Sequence, residues 1–123
     1  MQQDSRASAM QRGKLGEKLA KEFLIGKKYE ILATGWRSRF GEIDIVAKDN
    51  EYIVFVEVKL RKNANFAHGR EYVGKSKQSK IRATANHYLM HRRSELQPRF
   101  DVIEIYMENE SSIPNIIHLE NAF

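Results

Sequence analysis

Two runs rich in apolar and β-branched residues, 41-GEIDIVAK-48 and 52-YIVFVEVKLR-61, flank a short turn containing Asp and Asn. No other feature of the chain restricts its fold as much. Strands joined by so short a turn pair antiparallel. The first run alternates, with Glu42, Asp44 and Val46 on one face and Ile43, Ile45 and Ala47 on the other. The second is nearly all apolar, the pattern of a buried strand. Yet it carries Glu57 and Lys59, two residues apart and therefore on one face. A buried charge is costly unless it is paired or bound to a metal. Either this strand end is exposed, or something holds the carboxylate and the ammonium.

The rest of the chain supplies elements to cover such a hairpin. Residues 8–25 read as an amphipathic helix, with Leu15, Leu19 and Phe23 at spacing four and Ala20 and Leu24 widening the stripe. Ser8 is the expected N-cap and Gly26 the expected stop. Gly16 falls inside the apolar arc, where a missing side chain allows close approach, and Glu17 falls at its edge. A first strand is expected at 29–34, interrupted at Gly35. Residues 62–74 read as a polar, mobile loop. A second helix follows at 75–93, buried through Ile81, Ala85, Tyr88 and Leu89. Pro98 closes the next connection, a strand covers 99–107, and a short edge strand lies around 115–119. Three strands in a meander, a helix and further strands make an α/β fold with a mixed central sheet flanked by helices.

The chain's 123 residues suit a single domain, 1–123, with one core. The absence of cysteine excludes disulfides, Cys-based zinc sites and a thiol nucleophile. His87 and His91 are spaced for a metal on a helix, but without a third ligand nearby the pair reads as surface. No apolar run approaches the roughly 20 residues of a membrane span, and the first residues lack the apolar centre of a signal peptide. The expected location is therefore cytoplasmic. With 21 basic and 16 acidic residues, the net charge of +5 points to a polyanionic partner, most often nucleic acid.

With the turn centred near Asp49 and Asn50, Asp44 lies opposite Phe55 and is a diagonal neighbour of Glu57. Asp44, Glu57 and Lys59 then share a sheet face. Two converging carboxylates stay ionised most readily with a divalent cation between them. Oxygen-only ligands favour Mg²⁺ or Mn²⁺ over zinc. A water on such a metal can attack phosphorus, and Lys59 is placed to orient it or to stabilise developing charge. The alternative is an ion pair of Glu57 with Lys59 on an exposed strand end, with Asp44 bonded to nearby backbone.

Taken in order, 16-GEKLAKEFL-24, 41-GEIDIVAKD-49 and 55-FVEVKLR-61 resemble the PD-(D/E)XK nuclease superfamily. Within it the chain resembles the YraN-type family of predicted endonucleases, and its layout is similar to that of archaeal Holliday-junction resolvases. The likeness runs from the first helix to 101-DVIEI-105 and implies a restriction-endonuclease-like fold. It also implies that Asp44 and Glu57 ligate Mg²⁺ or Mn²⁺ with the Val58 carbonyl, and that Lys59 is the catalytic lysine. Glu17 would reach the metal directly or through water, and Gln78 would lie near the lysine. The literal Pro-Asp is absent, since Gly41 and Glu42 precede the Asp44 strand segment. Glu42 reads as an outer ligand or as a surface residue.

Phosphate contacts are expected from Lys75, Lys77, Lys80 and Arg82 at the start of the second helix, with Arg70 before it, and from Arg37, Arg39, Arg61 and Lys62. Trp36 and Phe66 are candidates for base stacking or for packing. Asp101 reads as half-buried, paired to a helix cation and structural. The expected activity is metal-dependent hydrolysis of DNA, branched or junction DNA included. A non-catalytic nucleic-acid-binding module and an RNA-directed nuclease are the alternatives. Resolvase-like relatives act as dimers, so the resemblance also carries a homodimer as an expectation.

Overall fold

The computed structural model describes residues 5–62, 73–92 and 94–123, with side chains from residue 11 onward. Its elements are α1 (Ser5–Gly26), β1 (Glu30–Ser38), β2 (Gly41–Asp49), β3 (Tyr52–Arg61), α2 (Lys75–His91), β4 (Gln97–Tyr106) and β5 (Asn115–Leu119). One five-stranded sheet runs in the order β1-β2-β3-β4-β5. The first three strands form an antiparallel meander, β4 runs parallel to β3, and β5 returns antiparallel. The sheet is therefore mixed, as the sequence leads one to expect, and α2 lies in the long crossover that a parallel pair requires.

Each helix closes one face. Ala20 and Leu24 of α1 are fully buried against Ile45, Ala47, Val54, Val56, Ile103 and Ile105, with Leu15, Leu19 and Phe23 packed around them. On the other face, Ile81, Ala85 and Tyr88 of α2 pack on Ile43, Val46, Ile53, Phe55 and Val102. Thr84 is also fully buried and escapes a hydropathy reading, because its hydroxyl donates to the Lys80 carbonyl (2.7 Å). Gly16 lets α1 press on β3: a Cβ there would meet Leu60 Cβ at 3.4 Å and Val58 Cγ1 at 3.5 Å.

Several boundaries differ from expectation. The helix begins at Ser5, so Ser8 lies inside α1 and is not its cap. The stop is set beyond Gly26, by Lys28 at φ 72°. Tyr29 N–H donates to the Leu24 carbonyl and Lys28 N–H to that of Ile25, the paired bonds of a left-handed helix ending. Gly35 does not interrupt β1, which passes through it at φ 56°. Pro98 is not in the connection but is the second residue of β4, a strand start where its missing N–H is tolerated. The expected loop at 62–74 lies, apart from its two ends, outside the described residues, as do Phe66 and Arg70.

Asp101 is completely buried, and its partners are not on a helix. Arg99, two residues earlier on the same strand, gives it two hydrogen bonds of 2.9 Å. His118 Nε2 adds one of 2.7 Å and the Asn121 N–H one of 2.9 Å. Arg99 also reaches Asp49 and the Tyr29 hydroxyl, tying the ends of β1, β2, β4 and β5 together on the α1 face. Burial alone would push the Asp101 carboxyl up, but His118, Arg99 and the Asn121 N–H hold it below the usual range.

Candidate functional site: a fork in the sheet

The hairpin of β2 and β3 closes over Asn50 and Glu51, with Asn50 in the left-handed region at φ 51° and Asp49 paired to Tyr52. That is one residue beyond the centre expected from the sequence. Val46, not Asp44, therefore faces Phe55. The β2–β3 ladder ends at Ile45 and Val56. Past that pair, β2 stays with β1 through Ile43, Glu42 and Gly41, while β3 stays with β4 through Arg61. The sheet forks, and Asp44 is the first residue in the fork.

The alternation of β2 slips at the same place. Ile45 and Ala47 are buried toward α1, but Ile43 is buried toward α2 with Val46. Asp44, at the slip, joins Gly16, Glu17, Val58, Leu60 and Arg12 in lining a cleft of about 240 Å³ beside α1. Its Oδ2 accepts the Val58 N–H at 2.8 Å, a donor that the fork has deprived of a cross-strand carbonyl on β2.

Glu57 follows the Phe55 face and points to α2, where Lys77 Nζ lies 2.5 Å from its Oε1. The side chain of Glu57 is 9% exposed and that of Lys77 55%, so the ammonium caps the carboxylate from the solvent side. Lys59 is half-buried two residues along and aligns with Glu104 of β4. No ion pair forms between Glu57 and Lys59 among the described residues; the partner of Glu57 comes from the helix.

Acidic groups accumulate around the fork. Burial first, then Glu57, push the Asp44 carboxyl up to about 7, with Glu42 and Glu17 adding to the Val58-opposed rise. Burial and Glu42 likewise raise Glu17, against Lys21 and the Thr34 hydroxyl. Gly35 makes room for this crowding: a Cβ there would lie 3.6 Å from an oxygen of Glu17 and 3.6 Å from one of Glu42. Glu42 itself is paired with Arg37 at 3.3 Å. The sequence reading missed Gly35 and Lys77 in these roles, since neither fork nor register is visible before the strands are paired.

The donor set is made of oxygens only. Among the described residues no group of three or more His, Cys, Asp or Glu forms a ready metal cage. Mg²⁺ does not need one, because it takes one or two carboxylates and keeps several waters. Asp44 and Glu57 are two carboxylates of this kind; burial first and then the charge of Glu57 raise the Asp44 carboxyl, and a divalent cation would offset the second of these. In donor chemistry these oxygens suit such an ion, which would have to displace Lys77 from Glu57. His87 and His91 have ring centroids 4.9 Å apart and gain no third ligand among the described residues.

The other expected contact residues divide. Gln78 donates its Nε2 to the Val73 carbonyl at 2.6 Å, fastening the start of α2. The Arg82 guanidinium stacks over Phe100 and Phe123, at 4.7 and 5.7 Å. Lys75 and Lys80 are exposed on α2, and Arg39 is exposed on the β1–β2 turn, its guanidinium over Phe40. Arg61 is half-buried on β3. Trp36 is packed edge-on against Tyr88 and His87, so it is a packing residue of the α2 face. No helix among the described residues is long and apolar enough to cross a membrane.

A family model described as "Uncharacterised protein family UPF0102" matches residues 16–105, which hold the fork and every strand that forms it. Proteins named "UPF0102 protein" are similar over most of their length. One from Caldicellulosiruptor bescii is 43% identical, covering 90% of this chain and 95% of its own. One from Acetivibrio thermocellus is 43% identical, with 90% and 89% covered. One from Thermodesulfovibrio yellowstonii is 44% identical, with 90% and 94% covered.

Proposed function

The chain belongs to the uncharacterised protein family UPF0102, and we propose that this member is a metal-dependent nuclease of PD-(D/E)XK type that hydrolyses phosphodiester bonds in DNA. The observation that carries the reading is Asp44 in the fork. It is held by the N–H of the residue between Glu57 and Lys59 and crowded by Glu57, Glu42 and Glu17. The mixed sheet, covered by one helix on each face and opening at the acidic residues, supports a restriction-endonuclease-like fold.

Asp44 and Glu57 would hold Mg²⁺ or Mn²⁺, with the Val58 carbonyl beside them and Glu17 reaching it across the cleft. When bound, the ion supplies a more acidic water and neutralises charge on phosphate oxygens. The remaining work falls to the protein. The Val58 N–H fixes the Asp44 carboxylate, so that group needs no reorganisation. Lys59, on the face of Glu57 and in no ion pair among the described residues, presents its ammonium to a phosphate oxygen and to the attacking water. Lys77 gives up Glu57 and turns to the phosphate backbone. Lys75, Lys80 and Arg39 add contacts that hold the strand without reading its bases.

The test is incubation with Mg²⁺ or Mn²⁺ and a panel of duplex, flap, single-stranded and four-way DNA, with RNA alongside. The expected result is cutting of DNA, reduced at least about 100-fold by Lys59→Ala and abolished by Glu57→Ala, with binding retained by both. A parent chain that binds the panel and cuts none of it would be a binding module. Cutting confined to RNA would make the substrate RNA.

A further inference from the structure

Beside the fork, the turn between β1 and β2 holds an aromatic ring in solvent. Phe40 is 41% exposed, the one aromatic among the large apolar side chains that stand exposed among the described residues. Arg39 lays its guanidinium over the ring, 5.0 Å from the centroid. His87 of α2 meets the ring edge-on at 5.7 Å. Behind it, Trp36 packs on His87 and Tyr88, and Arg92 lies over Tyr88 at 4.3 Å.

The turn is not free to fold the ring away. Gly41 follows it at φ 152°, a region that side chains rarely adopt. A Cβ on Gly41 would come within 3.2 Å of Thr84 Oγ1. The backbone after Phe40 is therefore pressed against a buried hydroxyl of α2. An aromatic ring on fixed backbone, backed by arginine and histidine, has the composition of a surface on which bases stack. The surrounding charge agrees: Arg37, Arg39, Lys80 and Arg92 are all exposed, with Glu42 paired to Arg37. Phe40, the residue before β2, is four residues from Asp44, roughly 13 Å at the rise of a strand. That is about four steps of a stacked nucleic-acid strand.

We propose that Phe40, with Arg39 and His87, is a stacking post for an unpaired base of the strand bound at the fork. The substrate class it selects is DNA with a single-stranded segment next to the scissile bond, such as a flap or fork. This rests on nucleic acid being the partner of the fork, and not on hydrolysis.

The test is binding in EDTA by the full chain, using fluorescent single-stranded, flap and duplex DNA, with 2-aminopurine in the single-stranded segment. Phe40→Leu keeps an apolar group and removes the π-face; Phe40→Trp keeps both. The leucine variant is expected to bind single-stranded and flap DNA about tenfold more weakly, to lose 2-aminopurine quenching and to bind duplex as before. The tryptophan variant keeps affinity and quenching. Equal affinity of Phe40→Leu and wild type for all three DNAs overturns the post. So does an equal loss on duplex and single strand, or a wild-type chain that binds no DNA. Circular dichroism melts establish that each variant is folded. Quenching that depends on Phe40 in a chain that cuts nothing with Mn²⁺ removes the nuclease and keeps the post. Flap cutting untouched by Phe40→Leu does the reverse.

Discussion

Asp44 is held in place and destabilised by the same surroundings. The Val58 N–H favours its charged form, while burial, Glu57, Glu42 and Glu17 outweigh that bond and bring the carboxyl to about 7. Removing the charge should therefore help the metal-free fold. Asp44→Asn keeps an oxygen for the Val58 N–H, so its melting temperature in EDTA should exceed that of wild type by several degrees at pH 8. The gap should close as pH falls toward 4, and the variant should not cut. Glu57 meets its burial differently, through the Lys77 ammonium. Lys77→Ala frees that carboxylate for a competing cation. Calorimetry is expected to show Mg²⁺ bound severalfold more tightly by this variant, and DNA more weakly because the proposed phosphate contact would be gone. Tighter DNA binding would sink the dual role. Asp44 and Glu57 were legible as neighbours in the sequence because two strands joined by a short turn place them close in the ladder, but the register and the slip that turn Asp44 toward α1 and Glu57 toward α2 were not. The ion pair to α2 was not, because nothing local to 75-KSKQ-78 says which lysine faces the sheet.

At the scale of elements, hydrophobic spacing located both helices and all five strands, since burial on a period of 3.6 or 2 leaves a trace in composition. What it could not give were the places where backbone geometry decides. The ending of α1 falls on Lys28, in a region that costs a side chain about 1 kcal/mol. Lys28→Gly should raise the melting temperature by a few degrees, since glycine enters that region freely. An unchanged or lower value would mean that the Lys28 side chain contributes packing that outweighs the strain. Gly41 is the opposite case. Its φ of 152° and the 3.2 Å approach to Thr84 make Gly41→Ala a destabilising change, with a melt lowered by several degrees and the Phe40 turn displaced. Intrinsic fluorescence gives a direct reading, because Trp36, the one tryptophan of the chain, packs on α2 beside that turn. The fork escaped the sequence for a related reason. It arises where β3 keeps pairing with β4 while β2 leaves with β1, and β4 lies more than thirty residues away in the chain.

Across the whole molecule, two aspartates on the sheet set opposing pH limits to stability. The Arg99 and His118 partners hold Asp101 below its unfolded value, so its contribution is present above about pH 4 and is lost as pH falls through the lower folded value. Asp44 has a folded value of about 7, above its unfolded one. Its contribution is complete below about pH 4 and drains away as pH rises toward 7 and past it; Glu17 acts in the same sense. Without metal, the chain should therefore be most stable in mildly acidic solution and weaken on both sides. A divalent cation held at the fork as proposed would bind the ionised carboxylates and so compete with the proton on Asp44. Added Mg²⁺ should raise the melting temperature by several degrees at pH 8 and by little at pH 5, flattening the alkaline side and leaving the acid side, governed by Asp101, as it was. Glu57→Ala should abolish the increment at pH 8. Equal increments at the two pH values, or an increment that survives the loss of Glu57, would place the ion elsewhere and leave the fork without a metal.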